Sequence, residues 1–331
     1  MIKKSTFKNK TKHRPLKIFL ASLSMLIIFF TLIELILRLI TIYISPEKKI
    51  LLSLDPIATD PCPRKAVYRT VVDKDLFWIN PATINEDFKL IPPDTTRIIC
   101  MGDSTTAGYH MLPKGCSFPE QLDMLLTNSC NSKIDVINAG VGGYSSYQGL
   151  IFLKKHILNY KPSIITIKFG CNDAASAFPL PDKDISIKKE HMIISKALNH
   201  SRIYQLIWFL KTVKINKYYS QHSSELPQRV NCKDYRENIN EIVTIAKNNG
   251  IKIILITNPT RNPDLLVQRY NKILRDIAKS QNVLLINADL IFKDLGEKSK
   301  DLFYDSGHLK AEGEEIIAAK LNDVILKFLI Y

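Results

Sequence analysis

Five short apolar runs, each followed by a segment of helical period, constrain this chain more than any other feature. The runs are Arg97–Met101, Ile134–Ile137, Ile164–Phe169, Ile251–Thr257 and Val283–Ile286. Their apolar residues are consecutive rather than alternate, as in strands buried on both faces. Helix-like segments lie near 118–128, 146–159, 232–248, 264–280 and 310–329. Parallel strands need crossover connections, and helices are the usual ones. The pattern predicts an α/β fold of three layers, α/β/α, around a central parallel sheet of about five strands. Gly250 stops one helix just before a strand, and Pro162 separates another from the strand it feeds.

The N-terminal part has a different character. Residues Ile18 to Ile33 are almost wholly apolar, and the run resumes from Leu35 to Ile44 around Glu34 and Arg38. A bilayer core takes about 20 helical residues, so this stretch is long enough to span one. Glu34 and Arg38, four residues apart, can pair on one helix face. Lys3, Lys4, Lys8, Lys10, Lys12, Arg14 and Lys17 precede it with no acid among them, which by the positive-inside rule predicts a cytoplasmic N-terminus. A cleaved signal peptide and a buried core helix compete with this reading. No small-x-small cleavage site follows the apolar region, and the run is long for a signal peptide.

With 331 residues, 46% of them hydrophobic, the chain suits one large domain plus an accessory segment. The expected divisions are a basic cytoplasmic N-terminus over 1–17, a transmembrane anchor over 18–44, a linker and extended surface segment over 45–95, and an α/β domain over 96–331. The domain carries an insertion at about 174–231, with an amphipathic stretch from Ile193 to Val213. The Pro- and Asp-rich residues before the domain include an aromatic patch, Leu76-Phe77-Trp78. Net charge is +14, but no nucleic-acid motif accompanies it, so a solvated basic surface is expected and no nucleic-acid partner. Six cysteines occur without a Cys-x-x-Cys pair, which removes zinc-finger spacing. Cys100 and Cys171 read as free, small core residues. Any disulfide falls to Cys62, Cys116, Cys130 or Cys232, with the pairing open.

The polar residues at the strand ends carry the chemistry. The first run stops in Gly102-Asp103-Ser104, the second in Asn138-Ala139-Gly140-Val141-Gly142-Gly143-Tyr144, and the third in Gly170-Cys171-Asn172-Asp173. Near the C-terminus comes Asp305-Ser306-Gly307-His308, just before the last helix. Each piece alone has an ordinary reading: a turn, a helix cap or a surface histidine. Together, at successive strand ends in an open α/β sheet, they lie where ligands bind. Lys168 is unusual for a buried strand; a sheet-edge position and an acidic partner are both open to it.

These blocks resemble the SGNH (GDSL-type) hydrolase family over roughly residues 95 to 328, outside the insertion. Gly102-Asp103-Ser104 is similar to its first block, Gly143 falls at the glycine of its second, Gly170-x-Asn172-Asp173 is similar to the third, and Asp305-x-x-His308 to the fifth. The resemblance implies a flavodoxin-like SGNH fold, a catalytic triad of Ser104, His308 and Asp305, and an oxyanion hole from Ser104, Gly143 and Asn172. Thr105 stands where many members carry Leu. The residue types fit those roles: a serine hydroxyl needs an adjacent base, an imidazole serves near neutral pH, and a carboxylate orients it. Asp103 and Asp173 are expected to face away into bonds that hold the loops. No cofactor is called for, and no metal-ligand cluster is visible.

The resemblance and the apolar N-terminal span together give, as the leading reading, a membrane-anchored serine hydrolase acting outside the cytoplasm on an ester, an acylated glycan or lipid among the candidates. An acyltransferase passing the same acyl group to an envelope sugar would use the same residues. A catalytically idle envelope-binding module is the third reading, and intact Ser104, Asp305 and His308 argue against it. The insertion, leaving the sheet just after Asn172, is expected to set substrate preference. Ile203, Leu206, Ile207 and Leu210, with Tyr204, Trp208 and Phe209 on neighbouring faces, make it either a lid or additional core.

Overall fold

A computed structural model describes residues 14–43, 71–108, 112–130, 132–177, 180–185, 198, 201–207, 210, 214 and 226–329. The basic residues before Arg14, most of the linker including Cys62, and Trp208 and Phe209 of the insertion lie outside them. The chain opens with helix α1, Arg14–Tyr43, whose Leu16–Ile40 stretch is apolar and long enough to cross a membrane. A two-stranded antiparallel hairpin follows, β1 Val71–Asp73 and β2 Phe77–Ile79.

The main sheet has five parallel strands: β3 Thr95–Gly102, β4 Lys133–Gly140, β5 Ile164–Lys168, β6 Lys252–Ile256 and β7 Leu284–Ile286. Their spatial order is β4-β3-β5-β6-β7. All five predicted runs are strands of this sheet, and the predicted helical segments lie on its two faces. Between β3 and β4 come the short helix α2, Ser104–Ala107, and α3, Phe118–Ser129. Later helices are α4 Ser146–Lys155, α5 Cys171–Ala174, α6 Cys232–Asn248, α7 Leu265–Gln281, α8 Ala288–Asp294 and α9 Ala311–Leu329.

Successive strand residues point to opposite faces, and the two halves of the core follow from that. Ile98, Cys100, Ile254 and Ile256 meet Phe118 and Leu122 of α3 and Ile317 and Leu321 of α9. Ile99, Met101, Ile165, Ile167 and Leu255 meet Leu153 of α4, Ile239 of α6 and Leu274 of α7. The hairpin joins this second half, with Leu76 and Ile79 buried in it. The segment expected to lie on the surface thus supplies core residues.

The strand order places the site. The chain leaves β3 for β4 on one side, then crosses to β5 on the other, so the order reverses beside the carboxyl end of β3. Crevices of open α/β sheets form at such reversals. The register aligns Gly102 with Gly140 on one side and with Lys168 on the other. A Cβ at Gly102 would meet Thr106 Oγ1 at 2.1 Å, and one at Gly140 would meet Ala107 N at 2.3 Å. Glycine at both strand ends lets α2 turn directly over the sheet and put its first residue at the rim.

Candidate active site

That first residue is Ser104. Asp103, in extended conformation, caps α2: its carboxylate accepts from Thr105 N–H at 2.8 Å and from the Thr105 hydroxyl at 2.7 Å. The cap fixes the turn that presents the serine hydroxyl. Beneath it lies Lys168, 1% exposed in a central strand of the sheet. Its Nζ donates to Thr105 O at 3.1 Å and to Thr105 Oγ1 at 2.8 Å, and lies 5.7 Å from the Phe118 ring centroid. Neither a sheet edge nor a carboxylate takes this cation; the residue after the serine does.

The base arrives from the far end of the chain. An isolated antiparallel bridge between Phe303 and Leu309 closes the loop that carries it, and Arg261 N–H donates to Ser306 O at 2.9 Å. Asp305 Oδ1 accepts from the Gly307 and His308 backbone N–H groups at 2.9 and 2.8 Å. Its Oδ2 lies 2.8 Å from His308 Nδ1, and His308 Nε2 lies 2.8 Å from Ser104 Oγ. Partial burial pushes the Asp305 pKa up, but the hydrogen bonds from Gly307 N–H, His308 N–H and the imidazole outweigh it, and the net shift is downward. Asp305 is thereby held as an anion that accepts Nδ1–H, which leaves Nε2 to accept from the serine hydroxyl.

Gly143 lies in the turn after β4, and Asn172 in α5 just after β5. Gly143 has φ +75°, a left-handed conformation, and a Cβ there would come 3.0 Å from the Trp78 ring. Trp78 Nε1–H donates to Gly142 O at 3.0 Å, and the Arg229 guanidinium donates to Gly143 O at 2.7 Å. Both carbonyls of the turn are thus held by side chains from distant segments. The Asn172 amide donates to Tyr144 O at 3.1 Å and, at a long 3.2 Å, to Asp103 Oδ2. One carboxylate therefore ties the Ser104 turn to Asn172.

Trp78 and Arg229 escaped the sequence reading. Trp78 was visible only as part of an aromatic patch. Arg229 sits at the end of the insertion, where it pairs with Asp182 at 2.8 Å and donates to Gln148 Oε1 at 2.9 Å. Asp173 turns from the site to accept from Ser146 N–H and its hydroxyl. Burial raises its pKa to about 7, with the Ser146 bonds and Arg229 opposing the rise. Cys100, Cys116, Cys130, Cys171 and Cys232 are unbridged.

A serine, an imidazole and a carboxylate in hydrogen-bonded series at the carboxyl edge of a parallel sheet define a serine-hydrolase type of site. Residues 100–316 match the GDSL-like lipase/acylhydrolase family, and the chain belongs to it. Over 91 residues it is 32% identical to thioesterase 1/protease 1/lysophospholipase L1 of Escherichia coli strain K12, covering 28% of this chain and 40% of that protein. It is 33% identical over 84 residues to an arylesterase of Vibrio mimicus, covering 25% of this chain and 40% of that one. An uncharacterized lipoprotein of Bacillus subtilis strain 168 is 32% identical over 82 residues, 24% of this chain and 32% of that protein. The chain thus spans a third to two-fifths of the length of these relatives. Among solved structures, an acetylxylan esterase from Geobacillus stearothermophilus is 17% identical with a TM-score of 0.48, covering 68% of this chain and 91% of that one.

Proposed function

We propose that this protein is a membrane-anchored serine esterase that deacylates a glycan or lipid outside the cytoplasm through an acyl-Ser104 intermediate. The observation that carries the reading is the continuous chain from Asp305 Oδ2 through His308 to Ser104 Oγ, with 2.8 Å at both links. The family and the ester- and thioester-cleaving names of its relatives support the reaction class. The apolar α1, and a relative that is a lipoprotein, support an envelope location.

In this reading Ser104 Oγ attacks the ester carbonyl carbon while its proton passes to His308 Nε2. Asp305 stabilises the imidazolium and keeps the ring in its tautomer. The carbonyl oxygen, now negative, is met by the N–H groups of Ser104 and Gly143 and by the Asn172 amide, which exchanges its long bond to Asp103 for the oxyanion. Loss of one such donor costs roughly 3–4 kcal/mol of barrier. The tetrahedral species collapses to acyl-Ser104, and the alcohol leaves with the proton from Nε2. Water, deprotonated by the same nitrogen, then releases the carboxylic acid and restores the serine.

A fluorophosphonate probe tests the assignment. It should label the protein at Ser104, and Ser104→Ala should abolish labelling; labelling that survives the substitution overturns the nucleophile. His308→Ala should lose nearly all turnover, whereas Asp305→Ala should keep somewhat more, because orientation is lost but the base remains. Acetyl, short-chain and long-chain esters, each with and without a sugar acceptor, then separate hydrolysis from acyl transfer by the product formed.

A further inference from the structure

Glu34 is a carboxylate within an apolar helix, and its donors come from the far side of the sequence. At about 1.5 Å per residue, it lies roughly 26 Å along α1 from Lys17, near the outer limit of a hydrocarbon core about 30 Å thick. A carboxylate at that depth needs hydrogen-bond partners. Arg38 Nε provides one at 2.8 Å. The others belong to the insertion: Ser201 Oγ at 3.0 Å, Arg202 N–H at 3.0 Å and Ile203 N–H at 3.1 Å. Residues 202–207 are helical, and these amides are the first two of that helix. Glu34 does for it what a capping side chain normally does from the adjacent residue, across 168 positions of sequence.

The helix so held does not turn all its apolar side chains into the protein. Ile207 and Leu210 are each 59% exposed, and Leu198, also helical, is 41% exposed. The α1 surface is largely apolar and exposed, with none of its spanning window buried and only Ile33, Glu34 and Leu37 partly covered. Through Glu34 this segment is held against α1, so the medium that covers α1 lies beside its exposed residues. The insertion also begins beside the site: it follows α5, whose second residue is Asn172, and is pinned there by the Ser176–Gln228 bridge and by Ala177 N–H to Pro227 O at 2.7 Å.

We propose that the helix 202–207 is interfacial, docked on the membrane anchor by Glu34, with Ile207 and the nearby Leu210 in the outer leaflet of the bilayer. The substrate of Ser104 is then an amphiphilic ester borne by the membrane, reaching the site along this segment. The inference rests on the anchored-esterase reading above. An amphipathic helix in the interface plane, apolar face down, is the physical form such a contact takes.

The full chain, in vesicles of phosphatidylethanolamine and phosphatidylglycerol, tests this. A photoreactive benzoylphenylalanine at position 207 or 210 should crosslink to phospholipid, read as the added lipid mass on the peptide. Crosslinking to a second copy, or to the chain's own α/β domain, overturns the bilayer as occupant. Glu34→Leu keeps α1 apolar and removes the cap. It should stay with membranes and hydrolyse p-nitrophenyl acetate normally, but lose roughly fivefold to tenfold in kcat/KM on a long-chain ester held in the vesicles. Glu34→Gln, which keeps an acceptor oxygen, should lose less. Unchanged vesicle activity in Glu34→Leu with lipid crosslinking intact sinks the docking. Failure of the underlying reading shows elsewhere: absent Ser104 labelling removes the esterase, and release of wild-type protein by carbonate removes the anchor.

Discussion

At the scale of single residues, the site is built from side chains that hold other side chains. Lys168, buried in a central strand, donates to both oxygens of Thr105, the residue after Ser104. The Thr105 hydroxyl and the lysine below it form a buried hydrogen-bonded pair. Lys168→Met should leave the two Thr105 oxygens without a buried donor and cost about 1–3 kcal/mol, measured by urea unfolding. Adding Thr105→Leu should recover part of that loss by removing one of them. A double variant no more stable than Lys168→Met alone would show that the two side chains are not coupled. In the sequence Lys168 was visible as an anomaly, but its partner was not, because nothing in a strand's own periodicity says which loop crosses its end.

At the scale of elements, the β1–β2 hairpin is a clamp on the turn that follows β4. Trp78 holds Gly142 O and packs against the position where a Gly143 side chain would start. Gly143→Ala would put a Cβ in a left-handed conformation at about 1–2 kcal/mol and press it against the ring. On the proposed mechanism, in which the Gly143 N–H meets the oxyanion, the expected result is a fall in kcat of at least about tenfold, with KM little changed. Trp78→Phe keeps an aromatic side chain against the core but loses the indole N–H and its hydrogen bond to Gly142 O. It should lower kcat in the same direction while the melting temperature falls only slightly. Equal losses in kcat and in stability would mean that the hairpin is core alone. The aromatic patch was visible in the sequence within a segment expected at the surface, but its burial and its contact with a glycine 64 residues away depend on how the hairpin packs.

At the scale of the whole molecule, two buried carboxyls tie stability to pH. Burial raises Asp173 from 3.8 and Glu314 from 4.5, each to about 7, with Lys168 opposing the rise at Glu314. Between about pH 4 and pH 7 the folded protein keeps protons that the unfolded chain has released. Stability from these groups is therefore complete below that window, falls as pH rises through it, and is level above. Asp305, shifted down, acts oppositely and only below its ordinary range. Glu314→Gln should melt at a temperature that gains on wild type from pH 4.5 to 7 and keeps that gain above; a pH-independent difference would refute the assignment. Topology is the other property of the whole chain. A C-terminal alkaline phosphatase fusion should be active in a bacterial host, and the protein should resist a carbonate wash. An inactive fusion would place the α/β domain in the cytoplasm.

The sequence by itself determined which segments are strands and helices, that the strands run parallel, and that Ser104, Gly143, Asn172 and His308 stand at strand or loop ends. Those properties are local: they follow from periodicity, turn residues and the geometry of a crossover connection. Only the tertiary structure decided the order β4-β3-β5-β6-β7, and with it the reversal beside Ser104. It alone brought His308 to within 2.8 Å of a serine 204 residues earlier. It also chose Thr105 for Lys168, Gly142 for Trp78, and the start of the insertion for Glu34. Each of those partners is set by how layers pack across the sheet, and a side chain's periodicity gives its own face but never the residue that will meet it there.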